Sequence, residues 1–546
     1  MNTEQLNAVI SPAPWNMVIA GPGSGKSKVV VERARHLGTI GFKPEQQCFV
    51  TFTNVAARVL KQRLLATIGK PGFVGTLHAM MLMLLRRDDP RWVMVGEQDA
   101  GEFLARHATL MDYKGTATAL EAARGLAMDD RSVTQAARVV RSYRQWMRGE
   151  HLLDFDMVLT EGLKLMKVRG SNPWPCWSVD EYQDSSPVDA AIYLAAKPEQ
   201  LLIVADSDQS VYKFRGARPE NVTEFWNMPD LFAHHVLNLN YRCGREICDV
   251  ANAVISLNPD RIDKKTESAL GDGATVKTFA TSSDDAERAT VRLEIEMEIA
   301  AGVGPAEIAV LCRTNRLADE IREDLHAAGI PVAERESEKK PRDWRLLLLI
   351  LQQIASPGSW ANARLLAREQ ARIQRTSPDD AERNLEEYRK RCPNAAIWAL
   401  PSLQVILSLN ADLHRYGVSS ASHALMAERI RIFRPDTVEA LLECLRASPE
   451  AKSIRGVNIL TCHAAKGEEF DSVIVPGAEL FTADTPEEMA EERRLFFVAV
   501  TRAKKSLVVT SARQRRMTLP NNKTVLTNRQ PGELFETVAA LTPATV

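Results

Sequence analysis

One ten-residue stretch, IAGPGSGKSK (Ile19–Lys28), constrains this chain more than any other. An apolar run, MVIA (Met17–Ala20), leads into it and a helical pattern follows. Within Gly21, Pro22, Gly23, Ser24 and Gly25, the glycines let the backbone turn tightly and point several N–H groups inward at a phosphate. A helix starting near Gly25 would add its positive end. In this pattern Lys26 reaches the β- and γ-phosphates and the Ser27 hydroxyl joins a Mg²⁺ shell. Ala20 stands where the usual pattern G-x-x-x-x-G-K-[ST] has its first glycine. An ordinary glycine-rich turn is the plain alternative, and the flanking strand and helix argue against it.

At 546 residues the chain is too long for one core, which rarely exceeds about 250–300 residues. Hydrophobic residues at 45% and charged residues at 25% are those of an ordinary soluble globular protein. The formal net charge of -1 means that any nucleic-acid surface must be a local patch offset by acidic faces elsewhere. The eight cysteines are scattered without a C-x-x-C pair, which predicts buried, reduced thiols rather than metal ligands. The opening MNTEQLNAVI has no basic region followed by an apolar run, so no secretory leader is expected. The run LLLLI (Leu346–Ile350) is far short of the roughly 18–20 residues of a membrane span. The expected location is the cytoplasm, with no membrane partner.

Short apolar runs followed by helical patterns predict two α/β units with buried parallel strands. The first holds MVIA, CFVTF (Cys48–Phe52) and LLIVA (Leu201–Ala205). The second holds IAVLC (Ile308–Cys312), VNILTC (Val457–Cys462), SVIV (Ser472–Val475) and SLVVT (Ser506–Thr510). Helix-rich segments such as ARVVRSYRQWMR, WRLLLLILQQIA and AERNLEEYRKR interrupt both units. The predicted division is a first α/β domain at 1–85 and 151–270, interrupted by a helical insertion at 86–150. A second α/β domain at 271–340 and 451–546 is interrupted by another at 341–450.

VDEYQD (Val179–Asp184) offers what the loop lacks. Asp180 would sit in the Mg²⁺ shell while Glu181 orients and deprotonates an attacking water. A solvated acidic turn is the bland alternative. Two arginines then stand out, Arg242 in LNLNYRCGREI and Arg502 in EERRLFFVAVTRAKK. If that stretch is helical throughout, Leu495, Val498 and Arg502 share one stripe, so Arg502 either snorkels or aims a fixed charge into a cleft. A permanently charged guanidinium suits a transferring phosphoryl group. A nucleotide bridging the two units would close and open them with each hydrolysis.

Taken together, the motifs resemble those of the UvrD/Rep/PcrA family of superfamily-one helicases. They run in the family's order: NTEQLNAV, AGPGSGKS, TFTNVAA, GTLHA, LLDFDMVL, VDEYQD, ADSDQSVYKFRGA, NYRC, IAVLCRTN, TCHAAKGEEFD and RRLFFVAVTRAKK. The resemblance implies two RecA-like parallel-sheet domains, each with a mainly helical insertion, and ATP and Mg²⁺ as cofactors. It implies that Gln5 reads the adenine edge, Tyr241 stacks on the base, and Glu469 binds the ribose. Gln209 would couple the γ-phosphate to the DNA site, with Arg242 and Arg502 on that phosphate. A single-strand track of Phe52, His78, Tyr212, Phe214 and Arg215 is also implied. Stacking on aromatic faces grips a strand without reading its sequence. As isolated residues, Phe52 and Phe214 would be read as core.

The chain departs from the family at several places. Lys28 replaces a base-stacking arginine, and an ammonium stacks less well than a guanidinium. Glu468 replaces a leucine beside Glu469, Cys243 replaces a serine, and Phe497 lacks an aromatic hydroxyl. The second insertion is short and contains no duplex-contact motif of GIG type. The expected activity is ATP-driven 3′–5′ movement on single-stranded DNA coupled to strand separation, on single strands and single-strand/duplex junctions. One alternative is a motor subunit of a repair or antiviral-defence nuclease complex that unwinds little alone. Another is a nucleotide-gated scaffold without turnover, against which the complete set of Lys26, Asp180, Glu181, Gln209, Arg242 and Arg502 argues.

Overall fold

The structure is a computed structural model that describes residues 1–126, 134–169, 172–213, 216–259, 261–333, 343–355, 360–391, 456–518 and 524–542, with isolated positions between 419 and 445. The chain forms two compact units. One comprises Met1–Met80, Met166–Glu334 and Ser453–Val546, and the other Met81–Leu165 and Arg335–Lys452.

The first unit is built on two parallel sheets. In one, the strand order is Phe73–Thr76, Gln47–Thr51, Cys176–Val179, Gln200–Ala205, Trp15–Ala20 and Ala233–Leu237. In the other it is Thr275–Thr281, Ala503–Ala512, Phe470–Val475, Ile308–Cys312 and Asn458–Thr461. Every pairing in both is parallel. This is the mixed α/β fold with buried parallel strands that the apolar runs predicted, and it agrees with the two RecA-like domains that the family resemblance implies. Central strands such as Ile308–Cys312 are buried along their whole length, because helices cover both faces. The edge strands Thr275–Thr281 and Ala233–Leu237 were not foreseen. Both are only partly buried and mix polar with apolar residues, so no continuous apolar run marks them.

The order of the first sheet does the positioning. Cys176–Val179, Gln200–Ala205 and Trp15–Ala20 are neighbours in register, Trp177 with Leu201 and Leu201 with Trp15. The residues that follow their C-terminal ends are Asp180, Asp206 and Gly21. Three segments far apart in sequence therefore emerge side by side, where ligands bind open α/β sheets.

The second unit is mainly helical and draws on both predicted insertions. ARVVRSYRQWMR lies in the helix Gln135–Gly149, and WRLLLLILQQIA is the helix Trp344–Ala355. AERNLEEYRKR lies in the helix Pro378–Arg391. A charge cluster joins the insertions inside this unit. Arg368, 1% exposed, bonds Glu102, Asp379 and Glu382, and Arg345 and Arg372 both pair with the buried Asp99. Among the described residues no helix is long and apolar enough to cross a membrane.

Candidate functional site

The phosphate loop departs from the strand Trp15–Ala20 and ends in the helix Lys26–Thr39. Gly25 caps that helix at φ 84° and Gly23 has φ 65°, a region L side chains avoid. A Cβ on Gly23 would sit 2.7 Å from the Arg242 Cβ, and one on Gly25 would sit 2.7 Å from Gln5 Nε2. Both glycines therefore keep a narrow cradle open. Gln5 is buried and donates from Nε2 to the Ser24 carbonyl at 2.9 Å. Ser24 Oγ donates to the Gly21 carbonyl at 2.7 Å. Tyr241, 45% exposed, donates its backbone N–H to the Gly23 carbonyl at 2.9 Å. Lys28 is exposed at the start of the helix.

Lys26 Nζ lies 3.4 Å from the Ala20 carbonyl and 3.7 Å from Asp206 Oδ2. Asp180 and Glu181 follow the strand Cys176–Val179, and the Asp180 N–H bonds the Val50 carbonyl of the neighbouring strand. Glu181 holds a left-handed φ of 58°, a conformation that costs of order 1–3 kcal/mol for a non-glycine residue. Its N–H donates to Asp180 Oδ1 at 3.0 Å and its carboxylate accepts from Gln183 Nε2. Burial, then the Glu181 charge, pushes the Asp180 carboxyl up to about 7. Burial also opposes the ionised Glu181, but Lys26, Lys466 and the Gln183 bond outweigh it and hold this carboxyl low. Two crowded carboxyls with unequal pKa values, beside a lysine, form a donor set in which one carboxyl could hold a divalent cation while the other stays ionised as a base.

Arg502 belongs to the second sheet yet reaches this group. It was expected on the helical stripe of Leu495 and Val498, but the helix Pro486–Val500 ends before it. Arg502 follows the helix, and its Nε donates back to the Val498 carbonyl at 2.9 Å, a carbonyl of the last helical turn that also accepts from Thr501 Oγ1. That anchor turns Nη2 to Gln209 Oε1 at 3.2 Å. Burial and the neighbouring Arg242 charge push the guanidinium down to about 9, so it stays cationic at neutral pH. Arg242 Nε pairs with Glu469 Oε2 at 2.7 Å, and Lys504 lies 3.5 Å from the other Glu469 oxygen. The structure thus gathers Lys26, Asp206, Gln209 and Arg502 into one connected set, with Arg242 and Glu469 paired nearby. Ser27 opens the helix beside Lys26.

For the expected strand track, Phe52 and Tyr212 stack with ring centroids 5.2 Å apart and planes 21° from parallel. Lys466 Nζ lies 4.8 Å over the Tyr212 ring. His78 lies in the first turn of the helix Leu77–Asp88, and burial lowers its pKa to about 4. Phe214 and Arg215 lie outside the described residues.

Asp206, Lys466, Lys264 and Arg261 were not singled out from sequence, although Asp206 stands in the quoted motif ADSDQSVYKFRGA. Lys466 Nζ bonds Asp184 Oδ2 and the Gln209 carbonyl, linking the second sheet to the first. It sat in a quoted motif, TCHAAKGEEFD, and its charge could have flagged it. Lys264 and Arg261, which grip Asp206 and Asp208, lie in no motif at all.

The profile of the UvrD/REP helicase N-terminal domain matches residues 1–124 and 108–229, and that of the UvrD-like helicase C-terminal domain matches 235–386 and 430–514. YjcD of Bacillus subtilis (strain 168) is 26% identical over 603 residues, covering 94% of this chain and 79% of YjcD. The ATP-dependent DNA helicase PcrA of Leuconostoc citreum is 25% identical over 628 residues, covering 94% and 82% of the two chains. PcrA of Staphylococcus epidermidis is 25% identical over 610 residues, covering 94% and 84%.

Proposed function

This chain belongs to the UvrD/REP family of ATP-dependent DNA helicases, and from that premise we propose that it moves 3′ to 5′ on single-stranded DNA and couples the movement to strand separation. The observation that carries the reading is the continuous path from the phosphate-loop lysine to the arginine of the other sheet. Lys26 faces Asp206, Asp206 accepts from Gln209, and Gln209 accepts from Arg502.

In the proposed cycle the loop N–H groups and Lys26 hold the β- and γ-phosphates, with Gln5, Tyr241 and Glu469 at the base and sugar. The glycine cradle and the crowded carboxyls fit MgATP, with Ser27 and Asp180 as the residues that would hold the metal. When bound, Mg²⁺ neutralises charge on the phosphate oxygens. Glu181, kept ionised, orients the attacking water and takes its proton. Arg242 and Arg502 stabilise charge on the transferring group, and their engagement draws the two sheets together. Phe52, His78, Tyr212, Phe214 and Arg215 would carry the strand, which closure and opening then advance.

The test is ATP hydrolysis with and without single-stranded DNA, with Lys26→Ala as the blank. Stimulation by single strands, lost in Lys26→Ala, is expected. Turnover that ignores DNA would remove the strand track from the reading, and no turnover would remove the motor.

A second reading keeps the motor but makes it a subunit of a repair or defence nuclease complex. It draws on the shortness of the second helical insertion, at 341–450. Strand separation by the purified chain alone decides against it.

A further inference from the structure

Asp206 is a fully buried carboxylate with two lysines on it. Lys26 approaches Oδ2 at 3.7 Å from the phosphate loop, and Lys264 bonds Oδ1. The two are tethered differently. The Lys26 side chain is 12% exposed at the cradle, whereas that of Lys264 is 2% exposed and also pairs with Asp208 at 2.9 Å. Arg261 locks this second lysine in place, bonding Asp208 Oδ2 at 2.9 Å and the Lys264 carbonyl at 3.1 Å. The same carboxylate accepts from Gln209, whose other amide atom accepts from Arg502.

We propose that Lys264 is a positioning residue of the hydrolytic site, a fixed counter-charge that neutralises Asp206 so that Lys26 is free for the phosphate and Gln209 stays aimed at Arg502. A buried carboxylate demands a cation. With Lys264 present the demand is met from behind, and Lys26 can turn to the nucleotide without leaving Asp206 unpaired. Without it, Lys26 is the one cation of the pair left to Asp206, and phosphate and carboxylate compete for the same ammonium. Burial by itself would strip the Lys264 proton, but the Asp206 and Asp208 charges overcome this and hold its pKa above that of an ordinary lysine. The counter-charge is therefore permanent. Its supports reach further. The segment is held at Thr266 by both amide atoms of Asn252, on the helix Arg245–Ser256. That helix is buried in the core of the second sheet, with Ile247, Val250 and Val254 among Phe496, Phe497 and Val500. Lys264 is thus held on one side by that helix and on the other by residues leaving the first sheet, since Glu267–Ser268 pairs with Leu239–Asn240.

The inference rests on the assignment of Lys26 to the phosphate, and the experiment separates the two. Steady-state ATP hydrolysis with saturating single-stranded DNA is measured for Lys264→Met, Asp206→Asn and the double variant, alongside Lys26→Ala. Lys264→Met is expected to raise the KM for ATP and lower kcat, each by about tenfold, since a contact between buried charges is broken. In the Asp206→Asn background the same substitution is expected to change either constant less than about twofold, because the charge it shares with Lys26 is gone and Arg261 still pairs with Asp208. Lys264→Arg is expected to recover part of the loss. Wild-type constants for Lys264→Met, or an equal loss in the Asp206→Asn background, overturn the proposal. If Lys264→Met does not fold, the double variant is expected to fold, and failure of both also overturns it. Hydrolysis retained in Lys26→Ala would instead defeat the Lys26 assignment itself.

Discussion

His78 shows how one residue's surroundings decide what it can offer a ligand. It lies at the start of a helix that follows the edge strand Phe73–Thr76, and burial lowers its pKa to about 4. At neutral pH it is an uncharged ring, so any contact with a nucleic-acid strand is stacking or a neutral hydrogen bond. The same shift makes stability depend on pH. The unfolded chain takes up a proton near pH 6.5, the folded one near 4, so the stability is fully present above about 6.5 and is lost as pH falls toward 4. By pH 5 the loss is about 1–2 kcal/mol. Urea unfolding of the wild type and His78→Gln at pH 7.5 and 5 checks this, and the variant should lose less stability between the two. An equal loss would place the pH dependence elsewhere.

At the scale of elements, a buried charge cluster ties the helical unit together beside apolar side chains such as Phe103, Val140, Leu347 and Leu365. The helices Trp360–Ile373 and Pro378–Arg391 meet the helix Glu97–Leu110 through Arg368, Arg372, Glu102, Asp379 and Glu382. Arg368 also lies 4.9 Å over the Phe103 ring, so its stem and plane are packed as well as paired. Replacing one partner of such a buried group leaves the others uncompensated, a cost of about 3–5 kcal/mol. Arg368→Met should therefore lower the stability of the helical unit by that order. Denaturant unfolding should show an earlier transition for this unit, while Lys26-dependent nucleotide binding at the first unit survives. A single unshifted transition would mean the cluster contributes little. The end of the helix Pro486–Val500 makes a similar point. Helical periodicity extends a stripe to Arg502, but the chain leaves the helix first, and the arginine gains its aim from the carbonyl it caps.

At the scale of the whole molecule, the proposal of directed movement makes a demand that no single site tests. Strand polarity is a property of how two sheets close on a strand. A duplex with a 3′ single-stranded tail should be separated in an ATP-dependent manner, and one with a 5′ tail should not. The reverse preference, or separation of both, would overturn the proposed direction. With a net charge of -1, strand binding must come from local cationic groups, and it should weaken as salt is raised.

The sequence by itself determined what local chemistry can specify. Glycines at the loop, an apolar run before it and a helix after it admit few conformations, so the cradle of Gly23, Gly25 and Lys26 was legible at once. Buried parallel strands such as Ile308–Cys312 were legible because both faces are covered and every position is apolar. The edge strands Thr275–Thr281 and Ala233–Leu237 were not, since they are only partly buried and mix polar with apolar residues, whereas the edge strand Asn458–Thr461 was, within VNILTC. The fate of Arg502 was half legible, its charge from sequence and its aim from the helix end. Lys264 was not legible at all. Its partner Asp206 is 58 residues away, and no periodicity or spacing relates them. Only the return of the chain from the second sheet's core to the first sheet brings the two together, because a buried charge chooses its partner by distance in space.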